Sequence, residues 1–116
     1  MSARLQDSPV RAVRWVGRAA VVDVEGDVDL GRSVAFQMSL LRVMDDGPER
    51  IVINLSDVPY MDSSGVASLV KLLSRSRRQG VPLRLASLSD RVRSIFEITR
   101  LDTVFDIYPT EQEALA

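Results

Sequence analysis

The chain has 116 residues, of which 46% are hydrophobic and 27% charged, and its formal net charge is -1. This composition is typical of a soluble globular protein, and the length allows one hydrophobic core but not two. The near-neutral charge argues against nucleic acid or an anionic membrane as the main partner, and the absence of cysteine and histidine excludes disulfides, thiolate metal sites and a Ser-His-Asp hydrolase. We therefore expect one cytoplasmic domain over residues 1–116, without cofactor, metal or membrane insertion.

The N-terminal part of the chain predicts a β-hairpin. Residues 1–9 offer no packing face and are expected to be frayed. Strands are predicted at Val10–Trp15 and Ala19–Val24, and the short connection between them implies antiparallel pairing. Trp15 could be a functional aromatic, but packing near the turn against the core is the favoured interpretation because of the area it can bury.

A helix predicted over Leu30–Met44 follows an acidic turn. Asp29 is a good N-cap for this helix, and Asp27 adds a second acid that by itself favours a solvated corner over a docking surface. The helix carries two apolar stripes. The larger one is expected to face the core and comprises Phe36, Leu40, Val43 and Met44. The other is either half-buried or exposed for a partner and comprises Val34, Met38 and Leu41.

The most informative stretch lies where a strand predicted at Ile51–Leu55 gives way to a helix predicted over Ser64–Gln79. Asp62, Ser63 and Ser64 are consecutive N-cap candidates, because each has a side-chain oxygen that can accept from free amides of the first turn. Capping uses two of them at most. At least one oxygen is therefore left over at a strand-to-helix corner, where loops often carry function.

The rest of the chain continues the alternation of strands and helices. Gly80 is a typical stop for the preceding helix, and Arg75, Arg77 and Arg78 near its end complement the negative end of the helix dipole. Together with Lys71 they form a basic side that lacks the interleaved aromatics of a nucleic-acid site. Two further strands are predicted at Pro82–Ala86 and Thr103–Ile107. A helix capped by Ser89 lies between them, and its buried side comprises Val92, Ile95, Phe96 and Thr99. A terminal helix capped by Thr110 follows.

The resulting order is β-β-α-β-α-β-α-β-α. After the hairpin, one helix separates each strand from the next, which requires parallel pairing and right-handed crossovers. The prediction is an α/β fold with a mixed, mostly parallel sheet of about five strands, an antiparallel N-terminal edge strand and about four helices.

From about Val10 to Leu115 the sequence resembles the STAS domain, specifically the anti-sigma factor antagonists. The resemblance rests on Gly26-Asp27-Val28-Asp29, on Ile53 to Gly65 with its D-S-S-G motif, and on Ser89 to Phe96 with Leu101. It implies a STAS-like fold in which a partner anti-sigma factor that is also a serine kinase phosphorylates Ser63, and a serine phosphatase reverses this. It also implies a docking surface that comprises Asp27, Asp29, Asp62, Ser63, Ser64 and Gly65.

Three functions are compatible with these residues. The first is a phospho-regulated binding module whose unphosphorylated form binds the anti-sigma factor and releases a sigma factor. The second is a constitutive accessory subunit of a lipid-transport ATPase or a stress-signalling scaffold, in which Ser63 and Ser64 only cap the helix. The third is an enzyme with Ser63 as its nucleophile. A general base is missing for this reaction, so we expect that the chain is not an enzyme.

Overall fold

The computed structural model describes residues 8–116. The strands are β1 (Val10–Val16), β2 (Ala19–Glu25), β3 (Arg50–Asp57), β4 (Leu83–Ala86) and β5 (Asp106–Tyr108). The helices are α1 (Leu30–Asp45), α2 (Ser63–Gln79), α3 (Asp90–Ile98) and α4 (Glu111–Leu115), and a short 3₁₀ helix at Leu101–Thr103 precedes β5. The fraying expected for residues 1–7 lies outside the described part of the chain.

The strands form one five-stranded sheet in the order β1-β2-β3-β4-β5. β1 is antiparallel to β2, and all other neighbours are parallel, with Val22 of β2 opposite both Val13 of β1 and Ile53 of β3. Gly17 closes the hairpin with a φ of 62°, which a side chain resists. The predicted fold class, with its antiparallel N-terminal edge strand, is confirmed.

The main core lies between one face of the sheet and the helices α1, α2 and α3. Alternate residues of the strands point into it, because successive side chains of a strand face opposite sides. From β2 and β3 these residues are Ala20, Val22, Val24, Ile51, Ile53 and Leu55. The larger stripe of α1 is buried against them as predicted, whereas Val34 and Met38 are 61% and 48% exposed. Val34 and Met38 of the second stripe therefore lie on the surface, whereas Leu41 is half-buried against the core.

The opposite face of the sheet is covered by α4. Ala114 packs against Val21, Val52 and Ala86 in a second, smaller cluster. The hydroxyl of Thr110 accepts from the Glu113 amide at 3.1 Å, which confirms the predicted cap. At the other end of α4, Arg84 donates to the Ala114 carbonyl at 2.8 Å and Arg50 donates to the Leu115 carbonyl. Cations at the C-terminal carbonyls also complement the helix dipole.

A charged network joins α4 to the edge strand. Arg14 donates to the buried carboxylate of Asp23 at 2.6 and 2.8 Å and also to Glu111, which accepts from the side-chain amide (Nδ2) of Asn54 at 2.9 Å. The hydrogen bonds from Arg14 hold the pKa of Asp23 and of Glu111 below their usual ranges. These carboxylates are therefore ionised and paired at neutral pH.

Several local predictions are wrong. Trp15 is 46% exposed, because β1 is the edge strand and has a neighbouring strand on one side only. Thr99 is exposed beyond the end of α3, and its hydroxyl donates to the Ile95 carbonyl at 2.7 Å. The strand predicted at Thr103–Ile107 is shorter and later, because Phe105 is buried edge-to-face against Phe96, with 5.5 Å between the ring centres.

The beginning of the described chain is also more ordered than expected. The hydroxyl of Ser8 bonds to the hydroxyl of Ser39 on α1 at 2.7 Å. Pro9 is buried, and its carbonyl accepts from the Glu25 amide at 2.8 Å. The polar composition of residues 1–9 does not indicate these contacts, which attach Ser8 to α1 and Pro9 to the end of β2.

Arg14→Met should destabilise the fold by about 1–2 kcal/mol at pH 7, because it leaves the buried Asp23 carboxylate without its charged donor. In the wild type, the stabilisation from the paired carboxylates is fully present above the pKa values of unfolded Asp and Glu, about 3.9 and 4.3. It is lost as the pH falls through the lower pKa values that Asp23 and Glu111 have in the folded protein. Urea unfolding between pH 7 and pH 3 should therefore show a weaker pH dependence in Arg14→Met.

Arg18→Met is the matched control for this experiment. Arg18 pairs with Glu49 at 3.0 Å, but the two side chains are 77% and 66% exposed. Exposed ion pairs contribute about 0–1 kcal/mol. Equal losses in the two variants would contradict the role assigned to the buried network.

Candidate functional site

The two loops that follow β2 and β3 are joined by backbone hydrogen bonds. The loop from β2 to α1 meets the loop from β3 to α2 where the Gly26 amide donates to the Asp57 carbonyl at 2.9 Å. The Val28 amide then donates to the Tyr60 carbonyl at 3.0 Å, and the Asp62 amide donates to the Val28 carbonyl at 3.1 Å. These bonds place the acidic turn beside the D-S-S-G motif.

The carboxylate of Asp62 joins the N-termini of α1 and α2. One of its oxygens accepts from the amides of Ser64 at 2.9 Å and Gly65 at 3.3 Å, in the first turn of α2. The other oxygen accepts from the Leu30 amide at 3.1 Å, at the first residue of α1. One side chain thereby satisfies free amides of two helices.

The same hydrogen bonds determine the charge of Asp62. The Ser64 hydroxyl also donates to its carboxylate, and this bond lowers the pKa of Asp62 most. Partial desolvation opposes this effect, and the amides of Gly65, Ser64 and Leu30 lower the pKa further. Asp62 is therefore ionised at neutral pH, and it uses this charge for capping.

The two serines of the motif have different surroundings. Ser64 is half-buried, and its hydroxyl donates to Asp62. Ser63, the first residue of α2, is exposed, and within residues 8–116 its hydroxyl has no hydrogen-bond partner. The oxygen that capping leaves over is therefore that of Ser63, which spacing alone did not decide.

Gly65 allows α2 to approach the neighbouring loop closely. A Cβ atom at this position would lie 2.8 Å from Cγ of Met61, 2.8 Å from Cγ1 of Val28 and 2.9 Å from the Val28 carbonyl oxygen. Real Cβ atoms essentially never come this close to other heavy atoms. Glycine is thus required by the packing of the two loops.

The acids of the first loop line the same corner. Asp27 is exposed, and its carbonyl accepts from the Arg32 guanidinium at 2.9 Å. Asp29 stands at the N-cap position of α1, but its side chain makes no capping hydrogen bond, so the prediction that it caps α1 is wrong. Asp62 takes the α1 amide instead, which leaves the Asp29 carboxylate half-buried beside it. Asp27, Asp29, Asp62, Ser63, Ser64 and Gly65 thus all lie on the joined loops or at the start of α2.

Sequence reasoning missed several neighbours of this corner. Val28 and Met61 form an isolated parallel bridge, and both are buried. Their signal was the apolar character of two residues inside otherwise polar turns. Arg91 of α3 lies over the exposed ring of Tyr60, 5.7 Å from the ring centre, and the sequence contained no signal for this contact.

Comparison with protein families matches residues 11–114 to the STAS domain. The chain belongs to the STAS domain family. It is 33% identical over 86 residues to an anti-sigma-B factor antagonist of Bacillus subtilis. The aligned region covers 74% of this chain and 78% of the relative. The corresponding protein of Staphylococcus aureus is 31% identical over 86 residues, with 74% and 80% covered.

Solved structures show the same STAS fold. A structure described as a putative anti-sigma factor antagonist from Thermotoga maritima superposes with a TM-score of 0.85 at 23% identity, over 90% of each chain. An anti-sigma factor antagonist from Mycobacterium paratuberculosis gives 0.81 at 26% identity, over 94% of this chain and 92% of that one. The relatives from Bacillus subtilis and Staphylococcus aureus are named as antagonists and not as enzymes, in agreement with the expectation that this chain is not an enzyme.

Two kinds of feature are not found in the described residues of this STAS domain. Between residues 8 and 116, no group of three or more acidic side chains is arranged to hold a metal ion. Over the same residues, no helix has the length and apolar character needed to cross a membrane.

Asp62→Ala should lower the free energy of unfolding by about 1–2 kcal/mol, the cost of losing an N-cap. Asp29→Ala removes an acid from the same corner but no capping bond, so it should cost less than about 1 kcal/mol, the range of a helix-dipole contact. Urea unfolding at pH 7 measures both values. A cost for Asp29→Ala equal to that for Asp62→Ala would contradict the assignment of Asp62 as the shared cap.

Gly65→Ala should destabilise the STAS domain by more than about 1 kcal/mol, because the new methyl group forces α2 away from the Val28 carbonyl. Gly31→Ala in α1 is the control, since its Cβ would lie at an ordinary 3.5 Å from the Asp29 carboxylate. Alanine there should be neutral or stabilising by about 0.4–1 kcal/mol. Thermal unfolding of both variants tests whether close approach, and not helix propensity, explains Gly65.

Proposed function

We propose that this STAS domain is a phospho-regulated antagonist of an anti-sigma factor. The observation that carries the proposal is the exposed hydroxyl of Ser63 at the start of α2, which has no hydrogen-bond partner within residues 8–116, in a chain similar to anti-sigma-B factor antagonists. In this proposal the unphosphorylated chain binds the anti-sigma factor in the cytoplasm and so releases a sigma factor. The anti-sigma factor is also a serine kinase that phosphorylates Ser63, and a serine phosphatase restores the binding form.

Phosphorylation needs no catalytic group on this chain. The kinase transfers the γ-phosphoryl group of ATP to the Ser63 oxygen, and a base of the kinase accepts the hydroxyl proton. This chain has to supply a hydroxyl that is accessible and free of competing bonds. Ser63 meets both requirements, whereas the hydroxyl of Ser64 is engaged with Asp62.

The added phosphate acts mainly on the interface. It brings about -1.5 to -2 charges at neutral pH, and the amides of Leu30, Ser64 and Gly65 already donate to Asp62. During transfer, Ser63 has to face the kinase's general base and the phosphates of its nucleotide, all of which are negative. A phosphate on Ser63 therefore repels the groups that the serine approaches, which weakens the complex and leaves the fold almost unchanged.

The other candidate residues take supporting parts in this proposal. Asp27 and Asp29 offer carboxylates without capping bonds to cations at the margin of the kinase interface. Asp62 and Ser64 hold the start of α2, and Gly65 keeps it close to the acidic turn. Together they present Ser63 on a rigid, acidic corner.

A constitutive accessory subunit is less well supported. That function explains Ser63 and Ser64 as capping residues, but Asp62 is the cap of α2 and Ser63 has no capping bond. Ser63→Ala should accordingly change the free energy of unfolding by less than about 0.5 kcal/mol. A larger loss of stability, together with unchanged partner binding, would favour the constitutive function.

Incubation with ATP and the kinase-type anti-sigma factors encoded in the source genome should label this chain once, on Ser63. Ser63→Ala should abolish the label, and Ser64→Ala should retain it, because the neighbouring hydroxyl faces Asp62. Calorimetric titration of the same anti-sigma factor should show binding by wild type and Ser63→Ala. Ser63→Asp should bind at least about tenfold more weakly, a difference of about 1.4 kcal/mol.

Circular dichroism of each serine variant checks that the fold is retained. Label on a residue other than Ser63 would contradict the assignment of the phosphorylation site. Equal affinity of wild type and Ser63→Asp would contradict the switch even if Ser63 were labelled, since the proposal requires that charge at this position disrupts binding.

A further inference from the structure

An exposed apolar line leads away from Ser63 along α1. Leu30, Val34 and Met38 are 75%, 61% and 48% exposed, and their spacing of four residues places them on one side of the helix. The line begins where the Leu30 amide meets Asp62, so it is continuous with the candidate site. It extends for about 12 Å, or two helical turns.

The line runs beside a groove between α1 and α2, which we call the α1–α2 groove. The first turns of both helices donate to the Asp62 carboxylate, and the hydroxyl of Ser68 on α2 donates to the Ser33 carbonyl on α1 at 3.2 Å, so the helices lie side by side. The groove has a volume of about 520 Å³, and its lining residues are Gln37, Leu41, Lys71, Ser74, Arg75 and Arg78.

The rim of the groove on α2 is basic. Lys71, Arg75 and Arg78 recur at helical spacing, and Arg75 is paired with Asp45 across the groove. Between residues 8 and 116, Lys71 and Arg78 have no acidic partner. The helix dipole accounts for cations only within the last turn, and Lys71 lies more than two turns before the end of α2 at Gln79. Within the described residues, Lys71 is therefore a cation that neither an ion pair nor the helix dipole accounts for.

We propose that the partner lays an acidic amphipathic helix along this surface. Its apolar side covers Leu30, Val34 and Met38, and its carboxylates pair with Lys71 and Arg78 at the basic rim. The inference rests on the proposed function, because the helix belongs to the anti-sigma factor that binds at Ser63. The α1–α2 groove is a second area of contact that increases the affinity for that partner.

The charge distribution of the surface determines at which end the carboxylates of the bound helix lie. Asp27, Asp29 and Asp62 make the Ser63 end acidic, whereas Lys71 and Arg78 make the other end basic. Carboxylates of the partner helix are attracted to the basic end and repelled at the acidic end. A small anion such as a nucleotide fits less well, because the adjoining exposed surface is apolar over two helical turns.

Lys71→Glu and Arg78→Glu should each weaken binding of the anti-sigma factor at least about tenfold in calorimetry, because each places a carboxylate opposite a carboxylate. Arg93→Glu on α3 is the matched control, since it changes the net charge equally at a surface that does not line the groove. It should leave affinity within about threefold. Added salt should weaken wild-type binding more than binding by Lys71→Glu.

Ser63→Asp, measured in the same series, separates this inference from the switch. If both groove variants bind like Arg93→Glu while Ser63→Asp is weakened, the groove is not a contact and the proposed function stands. If the groove variants are weakened but Ser63→Asp is not, the groove is a contact and the switch fails. The partner-helix proposal would be overturned if Lys71→Glu, Arg78→Glu and Arg93→Glu weakened binding equally. It would also be overturned if the wild type bound ATP and both groove variants abolished that binding. Failure of the wild type to bind any of these anti-sigma factors would overturn both proposals.

Discussion

The candidate site depends on one carboxylate that belongs to two helices. Asp62 accepts from the first turn of α2 and from the first amide of α1, so it fixes the two helix ends to each other. The backbone bonds on either side of Val28 add a second constraint that acts in the same direction. Because hydrogen bonds lower the pKa of Asp62, this joint keeps its charge at neutral pH and does not depend on small changes in acidity.

Local chemistry was sufficient to predict most of the fold. The apolar runs of β2 and β3, the left-handed Gly80 after α2 and the caps at Ser89 and Thr110 each act within a few residues, and each is present in the structure. Errors occurred where distant contacts decided the outcome. Phe105 lies in a stretch that reads as a strand, but packing against Phe96 draws it into the core before β5 begins.

The site was only partly predictable for the same reason. The motif showed that capping leaves one oxygen over, but the choice between Ser63 and Ser64 depends on where the Ser64 hydroxyl points. The prediction of Asp29 as the cap of α1 is wrong because spacing favours the residue directly before a helix, whereas the acceptor for the Leu30 amide is Asp62, 32 residues after Leu30. The exposure of Val34 and Met38 depends on which side of α1 the neighbouring elements cover, and the helical pattern alone left this open.

The attachment of α4 determines how this domain can be tethered. Arg50, at the start of β3, bonds to the Leu115 carbonyl, and Arg84, near the start of β4, bonds to the carbonyls of Ala114 and Ala116. Ser63 follows the other end of β3, so the last residues and Ser63 lie at opposite ends of the strands. A second polypeptide or a solid support joined after Ala116 would therefore be attached away from Ser63.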